Sequence, residues 1–333
     1  MRRHSITPVG VEMDSRWVHA VQLARSAQGW RTVASAEYRR TPGATLSQEA
    51  QRLRGVLDRR GFSGVSVVLV APADQTLTGV LELPPRASRA PVHQLAGAEL
   101  ARLHKADPAT LEVALWEIPA PRRGGAGCEY MVAACPHAAA DECLDAFESA
   151  GLAVIALDLP QLAVVRAFGH DLRPAPSMDA VLHAGGDHCR VLVLVDGVVA
   201  YERRLEGAEG KVLVENAARR TGAPADAVED LLTGDPPASD HPLASELRDA
   251  ATAHVSTLLE QLQTSFAYIS RRYPDRDLAS VCLAGRYSRL EGLAQRLSGL
   301  QLRVVTAADS GAVTSPALLL AAGLALHEEG APA

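Results

Sequence analysis

The sequence predicts an α/β protein built from two similar lobes, and three observations carry that prediction. Pro8 to Leu23 reads as two strands about a tight turn. Val9, Val11 and Met13 alternate with Gly10 and Glu12, Asp14-Ser15-Arg16 reverse the chain, and an apolar run from Trp17 to Leu23 follows. The same plan returns much later: residues 179–190 lead into an apolar run at 191–195, Asp196-Gly197 turns, and 198–204 comes back. Between the two, strand signals and helix signals alternate. A chain whose halves open alike points to a duplicated architecture.

The elements follow in order. Residues 29–38 read as a third strand. Residues 45–60 form an amphipathic helix with Ala50, Leu53, Val56 and Leu57 on one face, stopped by Gly61, and 65–70 is a buried strand. Leu81 to Pro85 interrupts the pattern. A helix at 90–105, a strand at 111–118, a Pro/Gly/Arg-rich turn at 119–127, a strand at 129–135 and a helix at 136–150 make an αββα unit. A strand at 154–159 and a helix at 161–168 precede the Pro-rich stretch 173–177, read as a linker. The second lobe starts at Met178. It has helices at 211–221 and 226–232, a polar loop at 234–242 and a long helix at 245–272. A strand at 278–284, a helix at 287–297, a strand at 302–305 and a closing helix at 316–327 complete it.

Length and composition exclude several classes. The chain has 333 residues, 47% hydrophobic and 22% charged, enough for two or three cored domains. A net charge of −6 gives no global attraction to nucleic acid. The five cysteines, Cys128, Cys135, Cys143, Cys189 and Cys282, are scattered, which points to a reducing compartment and not to a disulfide framework or a zinc site. No secretory signal is visible. The most apolar stretch, 316–326, is about half the roughly 20 residues of a membrane span.

Three stretches carry a resemblance to a known family. Gly10 to Leu23 matches, without a gap, the pattern I-G-I-D-I-G-S-S-S-V-K-A-V-E-L. Leu283 to Leu293 matches L-S-G-G-G-A-R-L-P-G-L in frame. His183 to His188 takes the place of D-I-G-A-S-S/T. These motifs resemble the actin-like ATPases, the group of actin and the sugar kinases. They are most similar to the PilM family of type IV pilus assembly, related to FtsA and to the cytoplasmic part of GspL in type II secretion. The resemblance runs to near Ala322. It implies an actin-like ATPase fold of two duplicated lobes: residues 1–85 with 153–173, and 174–333 with a small helical insertion near 205–245. The αββα module at 86–152 would be inserted in the first lobe.

The resemblance also says where nucleotide chemistry would sit. Small residues in two hairpin turns let backbone N–H groups reach phosphates, and acidic residues at strand ends hold hydrated magnesium and orient water. A glycine-rich turn carries the nucleoside. Glu12 stands for the first aspartate. Asp14 stands for the loop glycine, with Ser15 kept and Arg16 and Trp17 in place of serines. His19, mostly neutral at pH 7 unless its pKa is raised, stands for the lysine. Asp158 is the candidate acid of the first lobe. In the second hairpin His183 replaces an aspartate, Gly185 and Gly186 remain small, and Asp187 adds a carboxylate. Arg286 and Tyr287 replace two of three glycines after Gly285. These departures imply a vestigial cleft with no catalytic residue and no metal site, which binds ATP with magnesium, the group's rule, weakly or not at all, with Arg16, Arg286 and His19 left as groups that could still attract an anion.

Other residues have plain readings. His183, His188 and Cys189 fit no standard metal spacing and read as loop residues. Cys135-Pro136-His137 lies at a strand-to-helix joint and does not read as a nucleophile with its base. Arg122-Arg123 reads as a solvated hairpin tip, His254 as a core or interface residue, and Trp17 and Trp116 as packing.

The function implied is a cytoplasmic scaffold of a type IV pilus or type II secretion assembly, peripheral to the inner membrane. It would take the cytoplasmic N-terminal segment of a PilN-like membrane partner as an extended peptide. The groove would lie between 65–83 and the module at 90–150. No nucleic acid is implied, and oligomer or filament formation is open. The alternative, from the enzyme class, is an active ATPase or small-molecule kinase of the same superfamily.

Overall fold

The computed structural model describes residues 6–27, 29–121, 128–169, 172, 176–234, 241–307, 313 and 315–327. The chain divides into two compact units. One is Met1–Arg166 with Val198–Ala200 and Ala321–Ala333, and the other is Ala167–Gly197 with Tyr201–Leu320.

The first unit is organised on a sheet of order β3-β2-β1-β4-β8. Strands β1 (Val9–Met13), β2 (Trp17–Ser26) and β3 (Gly29–Arg39) form an antiparallel meander, and β4 (Ser66–Val70) and β8 (Ala153–Asp158) add in parallel. Alternation sends Val9, Val11, Val18, Ala20, Val67 and Leu69 to one face, where they pack with Ala50, Leu53 and Leu57 of α1 (Leu46–Arg59). Helix α1 starts at a capping box: Gln48 N donates to the Thr45 hydroxyl, and Thr45 N donates to the Gln48 side chain. Cys143, Ala146 and Phe147 of α3 (His137–Glu148) join that same core. On the opposite face α9 (Leu319–Ala325) lies close against β1 and α4 (Pro160–Ala167). A Cβ at Gly10 would stand 2.0 Å from the Ala321 carbonyl oxygen, and one at Gly323 would stand 1.8 Å from that of Ala163.

A second sheet in this unit has order β5-β7-β6. The expected succession α2 (Val92–His104), β6 (Leu111–Glu117), β7 (Cys128–Pro136), α3 is present, with an added strand, β5 (Leu77–Leu83), that pairs antiparallel with β7. The sequence reading took 81–85 as a break because Pro84-Pro85 dominates it. Those prolines end β5. Leu81, Leu83, Leu100, Leu115, Tyr130 and Val132 form the core under α2.

The second unit repeats the meander. Its sheet has order β11-β10-β9-β12-β13, from β9 (Met178–Ala184), β10 (Cys189–Val195), β11 (Val198–Arg204), β12 (Leu278–Ala284) and β13 (Arg303–Val305). Val181, Leu182, Val191, Leu192, Val193, Val281 and Leu283 are buried on it. Helices α5 (Gly210–Thr221), α6 (Ala225–Thr233) and α7 (Ala244–Arg272) follow β11. Along α7, Leu247, Ala251, His254, Leu258, Leu262, Phe266 and Ile269 form the expected buried stripe.

Two expected helices are shorter than the sequence reading had them. The helix at 287–297 is a 3-10 turn, Arg286–Arg289, followed by α8 (Leu293–Ser298). Leu290 is extended and Gly292 has φ 80°, so one helix cannot run through. The helix at 316–327 is a 3-10 turn, Pro316–Leu318, then α9. Arg122-Arg123, most of the linker (173–175) and most of the polar loop (235–240) lie outside the described residues.

Candidate functional site

The β1–β2 turn of the first unit is built around one carboxylate. Asp14 Oδ1 accepts from Arg16 N at 2.7 Å and from Trp17 N at 2.6 Å. Asp14 N donates to Trp17 O, and the Arg40 guanidinium donates to Asp14 O at 3.0 Å. The backbone N–H groups of such a turn are what an anion would use. Here the turn's own side chain accepts from them, so a phosphate would have to displace Asp14. Burial, with Glu12 nearby, raises the Asp14 pKa to about 6, against the two backbone bonds that lower it.

Behind the turn His19 stands between carboxylates. It is opposite Glu12 on β1 and opposite Glu37 on β3, with Nδ1 3.4 Å from Glu12. Burial opposes its charge, but the adjacent Glu12 carboxylate, aided by Glu37 and Asp14, outweighs burial, and its pKa is raised. Two cross-strand glutamates thus favour the imidazolium, which is the condition under which His19 would carry a charge in the lysine's place. Trp17 stacks on His19 at 6.4 Å, and the Arg39 guanidinium lies 4.4 Å over Trp17. Arg16 N is held in the turn, and Arg16 O accepts from Arg40 N. Ser15 is exposed at its apex.

Asp158 ends β8, two strands away from β1. It is 6% exposed. Its carboxylate caps Leu159 N at 2.8 Å, pairs with Arg166 of α4 and accepts from His327 Nδ1 at 3.1 Å. Arg166 also donates to Gly323 O. This set ties the end of α9 to β8 and α4. A general base or magnesium ligand needs open lone pairs, and three contacts within the fold already draw on those of Asp158. Sequence reasoning found Asp158 but neither partner: His327 lies 169 positions away, and Arg166, although only 8 positions on, carries no motif that marks it.

The β9–β10 turn of the second unit is closed differently. Gly185 N donates to His188 O. The first N–H groups of α5 donate back to the turn, Gly210 to Gly185 O at 3.0 Å and Lys211 to Gly186 O at 3.1 Å. Asp187 pairs with Lys211 at 3.7 Å. His183 sits on β9 opposite Arg190.

The Gly285–Tyr287 segment lies at the end of β12, next to β9. Gly285 N donates to Pro316 O. Tyr287 turns inward and is 2% exposed. Its hydroxyl donates to Glu229 Oε1 of α6 at 2.6 Å, and its ring covers Gly210, where a Cβ would stand 2.0 Å from the ring. Arg286 Nη1 reaches the Thr233 hydroxyl at 3.4 Å. Sequence reasoning missed Gly210 and Glu229, which meet Tyr287 only through the fold.

The first unit also holds a cavity of about 240 Å³. Val11 and Met13 of β1, Leu69 of β4, Leu46 of α1, and Cys143 and Phe147 of α3 give it an apolar lining. Arg40 and Glu142 add opposite charges, and Gln75 borders it. Burial raises the Cys143 thiol to about 11 and pushes Cys135 up as well, so neither is a ready nucleophile. Burial lowers the pKa of His254, a core residue of α7. Among the described residues, no group of three or more His, Cys, Asp and Glu is placed to hold a metal ion. No helix among them is long and apolar enough to cross a membrane.

No protein-family profile matches the sequence, and no curated protein matches it. Solved structures do. A PilM–PilN type IV pilus biogenesis complex matches with a TM-score of 0.78 and 20% identity, over 96% of this chain and 98% of that one. The ethanolamine utilization protein EutJ from Carboxydothermus hydrogenoformans matches with a TM-score of 0.56 and 15% identity, over 97% and 89%. The chain thus has the actin-like ATPase fold, and its resemblance to PilM extends to three dimensions over nearly its whole length.

Proposed function

We propose that this chain is a PilM-like adaptor of a type IV pilus or type II secretion assembly. It holds the cytoplasmic N-terminal segment of a PilN-like membrane partner and uses its actin-like frame without nucleotide turnover. The full-length fold match to a PilM–PilN complex is the observation that carries the adaptor reading. In this reading the protein is cytoplasmic and reaches the inner membrane through the partner.

The cavity beside α3 supports a place for the peptide within the expected groove. It is apolar inside, with Arg40 and Glu142 able to orient a charged or polar strand. The turns support the absence of turnover. The residues do not fit a magnesium nucleotide: Asp14 accepts from the first turn's N–H groups, Asp158 is doubly paired, and Tyr287 fills the space above Gly210.

Two titrations test the two parts separately. A peptide copying the N-terminal segment of the PilN-like protein encoded with this chain should bind saturably, and Gln75→Trp at the cavity edge should weaken it at least tenfold. No heat with the peptide ends the adaptor reading. Mg-ATP should give no saturable heat, and micromolar affinity would return the chain to the ATPase or kinase alternative.

A further inference from the structure

One end of the first unit carries arginine and apolar groups together. The described arginines of this end are Arg25, Arg31, Arg54, Arg59 and Arg60, while the whole chain nets −6. The end in question is opposite the β1–β2 turn. There β2 and β3 run past β1 as a hairpin, with Arg25 paired to Trp30 and Ala24 paired to Arg31. The Arg25 guanidinium lies 5.7 Å over the Trp30 ring, and Ile6 bridges to Ala24.

The C-terminal end of α1 comes to the same place. Gln22 Nε2 donates to Thr7 O and to Ser63 O, and Ser63 N donates to Gln22 Oε1. That clamp brings Arg59 and Arg60, just before Ser63, beside the hairpin. Arg25, Arg31, Arg59 and Arg60 are all exposed. So are the apolar side chains of Ile6 at 48%, Val33 at 37% and Val65 at 37%. Among the described residues of this end, Asp58 pairs with Arg54 at 3.2 Å, and Glu148 ends α3. Glu12, Asp14 and Glu37 gather around His19 at the other end of the strands.

We infer that this end of the first unit docks on an anionic phospholipid surface. Exposed arginines draw it to lipid phosphates, and Trp30, Ile6, Val33 and Val65 enter the headgroup layer. An aromatic side chain with an arginine over its face suits the boundary where one end is wet and the other apolar. Each arginine near such a surface adds attraction that salt screens within about 10 Å at 0.1 M. A nucleic-acid backbone would use the arginines but leave the exposed valines and isoleucine idle. The inference is independent of the adaptor reading, since it concerns the pure chain and lipid.

The test is co-sedimentation of the full-length protein with vesicles of phosphatidylcholine, with and without phosphatidylglycerol. Binding should require phosphatidylglycerol and should weaken as salt is raised. Arg31→Ser with Arg60→Ser should lower the partition coefficient by roughly tenfold. Trp30→Ser should lower it less in low salt than in high salt, where the apolar part carries more of the binding. All variants should keep the wild-type thermal midpoint, because the substituted side chains are exposed or half-exposed. The inference is overturned by binding to neither vesicle, by equal binding to both, by a double variant that binds as wild type, or by duplex DNA retained in preference to the vesicles.

Discussion

The two hairpin turns begin from one backbone plan and are closed by opposite means. The β1–β2 turn is closed by charge: a carboxylate on two N–H groups, an imidazole between glutamates, and an arginine on the turn carbonyl. The β9–β10 turn and its neighbour Tyr287 are closed by packing, with helix N–H groups on turn carbonyls and a buried ring on a glycine. The difference teaches that a turn shaped for anions can be occupied from within in either way. The consequences differ. A charge closure responds to pH, and a packed closure responds to volume.

The largest expected effect breaks the packed side. Tyr287→Ala removes a buried ring and leaves Glu229, itself 0% exposed, without its hydroxyl donor. It should cost about 4 kcal/mol in urea unfolding, whereas Tyr287→Phe should cost about 1–3. If both variants unfold like wild type, the ring is not what holds α5 and α6 to the β12 turn.

Asp158→Ala comes next. It strips Arg166 and His327 of a nearly buried partner and frees the end of α9. A loss of about 3 kcal/mol is expected. Hydrogen exchange should report faster opening at 319–325 before the global transition. Exchange unchanged there would show that Gly10 and Gly323 seat the helix without the ion pairs.

The charge side is sharpened by pH. The Asp14 pKa is near 6 in the fold and 3.8 in the reference state, so the folded turn holds the proton more tightly. Its stabilising contribution is complete below about pH 4 and is lost as pH rises through about 6. His19, also raised, acts in the same direction: its contribution is present below 6.5 and lost as pH rises through its higher folded value. Asp14→Asn keeps an oxygen for Arg16 N and Trp17 N but removes the charge. It should exceed wild type by about 2 kcal/mol at pH 8, with the gap closing below pH 4. Equal stability at pH 8 would show that the turn's charge is already solvated.

The smallest effect is a surface control. Arg54→Ala breaks the exposed pair with Asp58 and a bond to Gly151 O. It should change stability by no more than about 0.5 kcal/mol. A larger loss would mean that the basic end of this unit also carries structural strain.

Much of this was legible in the chain. Alternation at Val9–Met13 and Trp17–Leu23 gave the meander, since period two is visible within a few residues. The heptad-like stripe from Leu247 to Ile269 gave α7. The strand at Leu77–Leu83 was not legible beside Pro84-Pro85, because its partner on β7 is about fifty positions away. The helix expected at 287–297 failed at Gly292, whose left-handed backbone is a fact of the turn and not of apolar spacing.

Apart from β5 and the breaks in two helices, the sequence by itself determined the order of strands and helices, the duplicated opening of the two halves, and which turn positions carry carboxylates, imidazoles and bulk. Those are set by local periodicity and by side-chain chemistry, which act over a few residues. Only the tertiary structure decided what those side chains do. It set His19 between Glu12 and Glu37, gave Asp158 to Arg166 and His327, and seated Tyr287 on Gly210 and Glu229. Charge state and filled volume depend on which side chains strand pairing and packing bring together, some close in sequence, as Glu12 and His19 are, and some far apart, as Tyr287 and Glu229 are, and local periodicity does not report those contacts.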